Sequence, residues 1–455
     1  MTQPIYQKIN GSQFQHLIQG YVQKGAKEIK LEGYNFDDSV NFGNAGPPVK
    51  VQYIKCKMGG GDNKYNGANF TNSTFDECDF DGVKLRGATI NFDLFRKVLE
   101  AGGDTSGCIF RGYSNLDSAD FSDLKLKDIK FEHINFKQIQ CYKTNFNNCI
   151  FEHVTIRNHT FLNQYFNHCR FVTCNLSGTK FLGIGIIETA FQKECEMKNV
   201  TFYNCDLTNT RFADDHGAPV KSLDPRSLLG TNLHGASLPY YLNLETAIKA
   251  ESEASKNARN LFIILVPLCF YIFAAVIWGE SAKDHITLPF MSLSFSDQNF
   301  LTVASLTIMT IFLYFHLYLQ KIWDQIKYMP AIFPDGSPTW DRISPWMFGV
   351  LAWDHIPRLS RFLNGRNNYL AEYSMLRQGA PKNYGLQKFG CVFFGWIFPI
   401  SLVCICFLRE TIFFSGFCQL TWLVKTWLPL AVSTLVIILS GISFYRNIEK
   451  SLTTR

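Results

Sequence analysis

The chain has 455 residues, and its 44 Lys and Arg against 38 Asp and Glu leave a formal charge of only +6. That excess is too small for a nucleic-acid binder of the usual kind, and no basic stripe stands out. Its 14 cysteines contain no CxxC pair at zinc spacing, which argues against a zinc-built fold.

Residues 1–59 read as an N-terminal helical cap and first-coil region. MTQPIYQKINGSQF lacks the apolar stretch of a signal peptide, so the segment after it is expected to stay on the side where it is made. SQFQHLIQGYVQKG reads as a helix with a Ser cap and a Gly stop, placed to cover the open first coil of a repeat array.

From Phe70 to Leu238 a large apolar residue recurs every five positions, unbroken from Leu116 to Phe191. Two places earlier stands a small residue in most units, such as Ala68, Cys149, Cys169 or Thr179. A helix repeats its apolar residues every three or four positions and a two-faced strand every second. A period of five implies a coil that turns a corner once per unit. The phase is lost over residues 91–109, where DLFRKVLEAGGD reads as a short helix ended by Gly102 and Gly103, and it slips by one residue at Met197. Neither break is expected to stop the stack.

Units such as GANFT, STFDE, CDFDG, SADFS and TCNLS resemble the pentapeptide-repeat family. The resemblance covers residues 60–240 and implies a β-solenoid: a right-handed, four-sided β-helix of about seven coils, roughly 34 Å long at the strand spacing of about 4.8 Å. Several characterised members of that family act as acidic DNA-shaped mimics that inhibit topoisomerases. Here acids and bases nearly cancel within the repeats, so no nucleic-acid role is expected. Cys78, Cys108, Cys149, Cys169, Cys174, Cys195 and Cys205 fall on the small inward positions and Cys141 on a unit centre. They read as core filling in a reduced compartment.

Residues 241–260 read as a helical linker and residues 261–445 as an α-helical membrane domain of four spans, with a long cytoplasmic loop over 320–388 and a tail over 446–455. The spans are Leu261 to Trp278, Phe300 to Leu319, Phe389 to Leu408 and Thr426 to Tyr445, each without Asp, Glu, Lys or Arg. At 1.5 Å per residue, about 20 residues cross a hydrocarbon core of roughly 30 Å. Trp278, Trp323, Trp422 and Trp427 sit at span ends, where amphipathic rings favour the headgroup zone. Lys249, Lys256 and Arg259 precede the first span, nine basic residues lie between the second and third, and Arg446, Lys450 and Arg455 follow the fourth. The two remaining loops hold only Lys283, Arg409 and Lys425. The positive-inside rule then places both termini and the rod in the cytoplasm of a multi-pass protein. PTWDRISPWMFGVLAWDHIPRLSRFL mixes Trp and Arg and suits either the headgroup layer or a lid on the last coil. His316 lies about one turn from Lys321, within reach of the interface. SKNARNLFIILVPLCFY and YFHLYLQKIWD resemble a membrane module joined to pentapeptide repeats in bacterial proteins. That resemblance implies a bacterial inner membrane or, for a secreted effector, a host membrane.

No phosphate loop, HExxH or nucleophile elbow appears, so no enzymatic activity and no cofactor are expected. Glu132 and His133 recur one coil later as Glu152 and His153. On a four-sided coil these stack on one face, but converging tetrahedral ligands are not implied, and no metal is expected. Residues that follow the centres point outward, and on one face these are Ser122, Tyr142, Leu162 and Leu182. Three apolar side chains in a row mark a docking surface, unless the chain itself covers them. The candidate binding residues are therefore Tyr142, Leu162 and Leu182, with Glu132, His133, Glu152 and His153 as a second face. The functional expectation is a scaffold anchored in a lipid bilayer that binds a protein partner through its rod. The alternative is a channel or membrane-perturbing bacterial effector whose spans form a homo-oligomer.

Overall fold

A computed structural model describes residues 6–37, 40–42, 50–59, 64–112, 116, 119–136, 139–213, 218–278, 286–287, 294–295, 297–326, 329–343, 390 and 393–413. The chain divides into two compact units, Met1–Leu242 with Pro330–Gly336, and Asn243–Met329 with Ser337–Arg455.

The first unit is the solenoid. One column of parallel rungs runs Asn69, Thr89, Ile109, Lys130, Ile150, Arg170, Ala190, Arg211 and Ser237, which is eight successive turns. Three further columns complete four sides, one through Lys125, Asn145, Tyr165 and Gly185, one through Thr160, Lys180 and Thr201, and one through Asn135, Thr155 and Asn175. Each unit centre points inward and stacks on the centre one turn away. Phe151 lies between Phe131 and Phe171, its ring centroid 5.0 Å from one and 4.6 Å from the other, with near-parallel planes. All three are essentially inaccessible to solvent.

Why the smaller inward position favours Thr and Cys is visible in its hydrogen bonds. Thr144 Oγ1 donates to the Phe121 carbonyl at 2.9 Å and Thr189 Oγ1 to that of Phe166 at 3.1 Å. Cys169 Sγ does the same to Phe146 at 3.3 Å and Cys174 Sγ to Phe151 at 3.2 Å. A hydroxyl or thiol there satisfies a buried carbonyl of the previous turn, which Ala cannot do. All described cysteines are free thiols. Burial pushes the Cys141 and Cys205 thiols up to about 12, so both are uncharged filling at neutral pH.

Turns of 20 residues give way to longer ones at both ends. Glu28 pairs with Lys50 and Gln52 with Thr74, a step of 22 residues. The solenoid's parallel pairing thus already includes Glu28–Glu32 and Lys50–Ile54, ahead of the first visible five-residue units. At the Met197 slip, Lys193 and Glu194 both take left-handed φ, and the extra residue is absorbed at a corner while Cys195 and Met197 stay buried.

Helix α1 (Gly11–Gln23) buries Phe14 and Ile18 at the amino-terminal end, with the Phe14 ring edge-on to Phe36 and Phe42. Its cap is Asn10 and not Ser12, because the Asn10 side chain reaches the Gln13 amide while Gln13 returns the bond; Ser12 only donates to Asn10. Helix α2 (Phe92–Glu100) replaces one strand, capped by Asn91 and burying Leu94, Phe95 and Val98. At the other end, residues Pro330–Gly336 return to the solenoid. The Ala331 amide donates to the Thr231 carbonyl at 2.7 Å, and Ile332 bridges Asn232.

The second unit holds helices α3 (Leu244–Trp278), α4 (Asp297–Ile326) and α5 (Phe398–Phe413), the last preceded by a π turn at Phe393–Ile397. Leu265, Leu268, Cys269, Ile272, Phe300, Ala304, Ile308, Leu402 and Cys406 form their shared core. Among the described residues two helices are long and apolar enough to cross a membrane, Leu244–Ile277 and Val303–Ile326, where four spans were expected. The expected third span falls on the π turn and α5, Phe393–Phe413, which is not among those two. The expected fourth span lies outside the described residues, as do the tail and most of the Trp- and Arg-containing loop.

Candidate docking face

Each unit of the solenoid offers the solvent three positions: one on either side of the centre and a corner residue two places after it. The corner takes left-handed φ, near 54° at His133 and 52° at His153, with Asn148, Asn158, Asn163 and Thr173 alike. Short polar side chains tolerate that region best, so the two histidines are first of all corner residues. Gly178 occupies a corner at φ +74°, where an added Cβ would lie 2.1 Å from Asn158 Oδ1 of the turn before.

The register brings Glu132, His133, Glu152 and His153 together as the sequence implies. Glu132 pairs in register with Glu152, and the His133 and His153 rings stack with centroids 4.8 Å apart and planes 2° from parallel. The missing element was the cations. Lys130 Nζ contacts Glu132 and lies 2.8 Å from Glu152, while Arg111 Nε lies 2.7 Å from Glu132. Burial opposes charge on Glu132, but the hydrogen bonds from Lys130 and Arg111 outweigh it and hold its carboxyl below the ordinary range. The Lys130 hydrogen bond does the same for Glu152. Both acids are zipped to basic neighbours, and no group of three or more His, Cys, Asp or Glu able to hold a metal exists among the described residues. Lys130, immediately before the centre in KFE, was the sequence signal that this face is neutralised internally.

The other face carries the apolar ladder. Leu162 pairs in register with Leu182, and Leu182 with Tyr203. Tyr142 follows Ser122 on the same side, with its amide 3.1 Å from the Ser122 hydroxyl and its carbonyl receiving the Asp123 amide. Exposure is graded along it. Tyr142 is 41% exposed, with Lys143 Nζ 5.3 Å above its ring, Leu162 and Leu182 are half-buried, and Tyr203 is buried at 4%. The 3-10 turn Pro225–Leu228 packs against the strand that carries Tyr203. The chain therefore covers one end of the ladder and leaves the other open. The five-residue pattern did not mark the cover, since the Pro225–Leu228 turn lies between repeat units.

Four-sided rungs, inward ladders and left-handed corners define a capped β-solenoid whose chemistry lies in its outer surface. The sequence model of the family described as pentapeptide repeats (8 copies) matches residues 64–91. That match and the rung geometry are what the chain has in common with pentapeptide-repeat proteins. Among solved structures, full-length QnrB1, a plasmid-mediated fluoroquinolone resistance protein, is 17% identical over 47% of this chain and 93% of its own, with a TM-score of 0.18. HetL, a pentapeptide repeat protein involved in heterocyst differentiation regulation from the cyanobacterium Nostoc, is 12% identical over 50% and 91%, with a TM-score of 0.17. Likenesses this low carry no functional argument. No curated protein matches the chain in sequence.

Proposed function

We propose that this protein is a membrane-anchored scaffold: a rigid solenoid held at the cytoplasmic face by a helical domain, docking a protein partner on the open end of its apolar ladder. The observation that carries the anchoring is the direction in which the helices turn their apolar side chains. Only 22% of the most apolar stretch of α3 and 33% of that of α4 is buried. Ile263, Phe270, Ile277, Leu306, Tyr314 and Leu317 are each about half exposed. Water penalises such a surface, whereas a hydrocarbon solvent favours it. Thr307 and Thr310 in α4 and Ser401 in α5 each donate to a carbonyl one turn back, at Val303, Leu306 and Ile397, an arrangement that suits a hydroxyl in a bilayer.

Connectivity supports the orientation. Residues before Leu242 and residues 330–336 belong to one solenoid, so the intervening segment must cross a bilayer an even number of times, which a pair α3 and α4 satisfies. Basic residues Lys249, Lys256 and Arg259 at one end and Lys321 at the other favour the cytoplasm for that side. A cysteine introduced at Asp284 is expected to react with an impermeant reagent from outside, and one at Gly336 is not; equal labelling at both contradicts the hairpin. Docking is tested with Tyr142→Glu, Leu162→Glu and Leu182→Glu together. The triple variant is expected to fold and insert yet lose the partner cross-linked from position 162 in the wild type. A variant that folds and retains it places the docking face elsewhere.

A further inference from the structure

The last rung of the solenoid is not supplied by the repeats. It comes from Pro330–Gly336, which the chain reaches only after building α3 and α4. Four backbone hydrogen bonds hold this strap: Ala331 and Ile332 amides both donate to the Thr231 carbonyl, at 2.7 and 3.2 Å, and the carbonyls of Ile332 and Pro334 receive the amides of Leu233 and Gly235, at 3.0 and 2.8 Å. Pro330 and Pro334 have no amide to give, so these bonds leave out both prolines as donors. The strap seats closely. Ala331 and Phe333 are buried, and Gly336 turns at φ +83°, where a Cβ would lie 2.8 Å from His234 Nδ1.

We propose that the strap is a latch whose docking reports the state of the α3–α4 hairpin, so that the carboxy-terminal turn of the solenoid is sealed only while those helices are paired. The linkage is one of tethering. The chain leaves the solenoid after Leu242 into α3 and re-enters it at Pro330 after α4, and the two helices pack on each other, as at the Phe262–Phe315 ring contact of 5.7 Å. Paired helices give the strap a high effective concentration at Thr231 to Gly235. Splayed helices lengthen the tether and lower it. By reciprocity, whatever binds or opens the sealed rung shifts the helix pair. This rests on the anchored-scaffold reading only in taking the hairpin to lie in a bilayer.

Hydrogen exchange on the full chain in lipid vesicles tests it, read at the Leu233 and Gly235 amides, with Ile150 and Arg170 amides of the mid-rod as internal controls. Ala304→Phe, which overpacks the α3–α4 core, is expected to speed exchange at Leu233 and Gly235 on the order of tenfold and leave the controls unchanged. Ile272→Ala, which loosens the same core, is expected to act alike, and Ala331→Pro, which removes a strap donor, is expected to free the same two amides directly. Protection that persists at Leu233 and Gly235 in both hairpin variants while Ala331→Pro releases it overturns the coupling. Protection that survives Ala331→Pro overturns the latch itself, and so does exchange that rises throughout the rod in both hairpin variants. Extraction of the same vesicles with alkaline carbonate separates the two readings: chain released from lipid with the coupling intact sinks only the anchoring.

Discussion

Phe, Leu and Ile do opposite work in the two halves of this chain. In the solenoid they point inward and stack turn on turn, from Phe110 through Phe131, Phe151 and Phe171 to Phe191; in α3 and α4 many of the same residue types face outward. Composition alone does not separate these uses, but spacing does. A residue every fifth position fits the inside of a coil that turns a corner once per unit, whereas an uninterrupted apolar stretch on a helix has more apolar surface than one packing face absorbs.

That contrast is broken most severely by charge in the solenoid core. Phe151→Asp is expected to abolish cooperative folding of the solenoid, because it removes a stacked ring, about 3–5 kcal/mol, and buries a carboxylate that costs several more. A retained, sharp thermal transition by circular dichroism would contradict the inward assignment. The same change on α4 should read out differently. Leu313→Asp, at a side chain 39% exposed, is expected to cost membrane insertion about 2.5–3.5 kcal/mol without unfolding the solenoid. On a water-exposed helix it would be neutral, and measured insertion efficiency decides between the two.

Much of this contrast was legible in the sequence, and what was hidden has physical causes. The period exposed every centre from Phe70 onward, but residues 28–59 escaped it because their turns take 22 residues, two more than four pentapeptides. The strap was invisible for a different reason: AIFPDG has no neighbouring copy, and a single rung carries no period. Cys and Thr beside the centres were read as a matter of size, which the buried Ala68 and Ala88 share; the bond to the carbonyl of the previous turn is what the reading missed. At the candidate faces, spacing placed Glu132 above Glu152 and Leu162 below Leu182. It could not show that Lys130 and Arg111 neutralise the first pair, nor that the chain covers Tyr203, because both depend on side chains meeting across turns.

Finer predictions sharpen the solenoid side. Lys130→Met leaves Glu152 without its ion pair and Glu132 with Arg111 alone, and is expected to destabilise the solenoid by about 1–2 kcal/mol at neutral pH. Both carboxyls lie below their ordinary range in the folded chain, so their contribution is present above the unfolded value near about 4.3 and is lost as pH falls through the folded values. The difference between wild type and variant should shrink below about pH 4; a gap independent of pH would assign the loss to packing of the lysine stem. Smaller still, Thr189→Val strips the Phe166 carbonyl of its side-chain donor and is expected to cost about 1 kcal/mol by chemical denaturation. Thr189→Ser should cost less, and equal losses for the two would remove the hydrogen-bond explanation.

The claim that joins both halves is that the outward apolar faces of α3 and α4 meet lipid. Alkaline carbonate extraction of membranes carrying the full chain tests it most directly. A chain held by a membrane-spanning hairpin stays in the pellet and is released only by detergent, and a chain that leaves with the carbonate supernatant, folded and monodisperse, would contradict it.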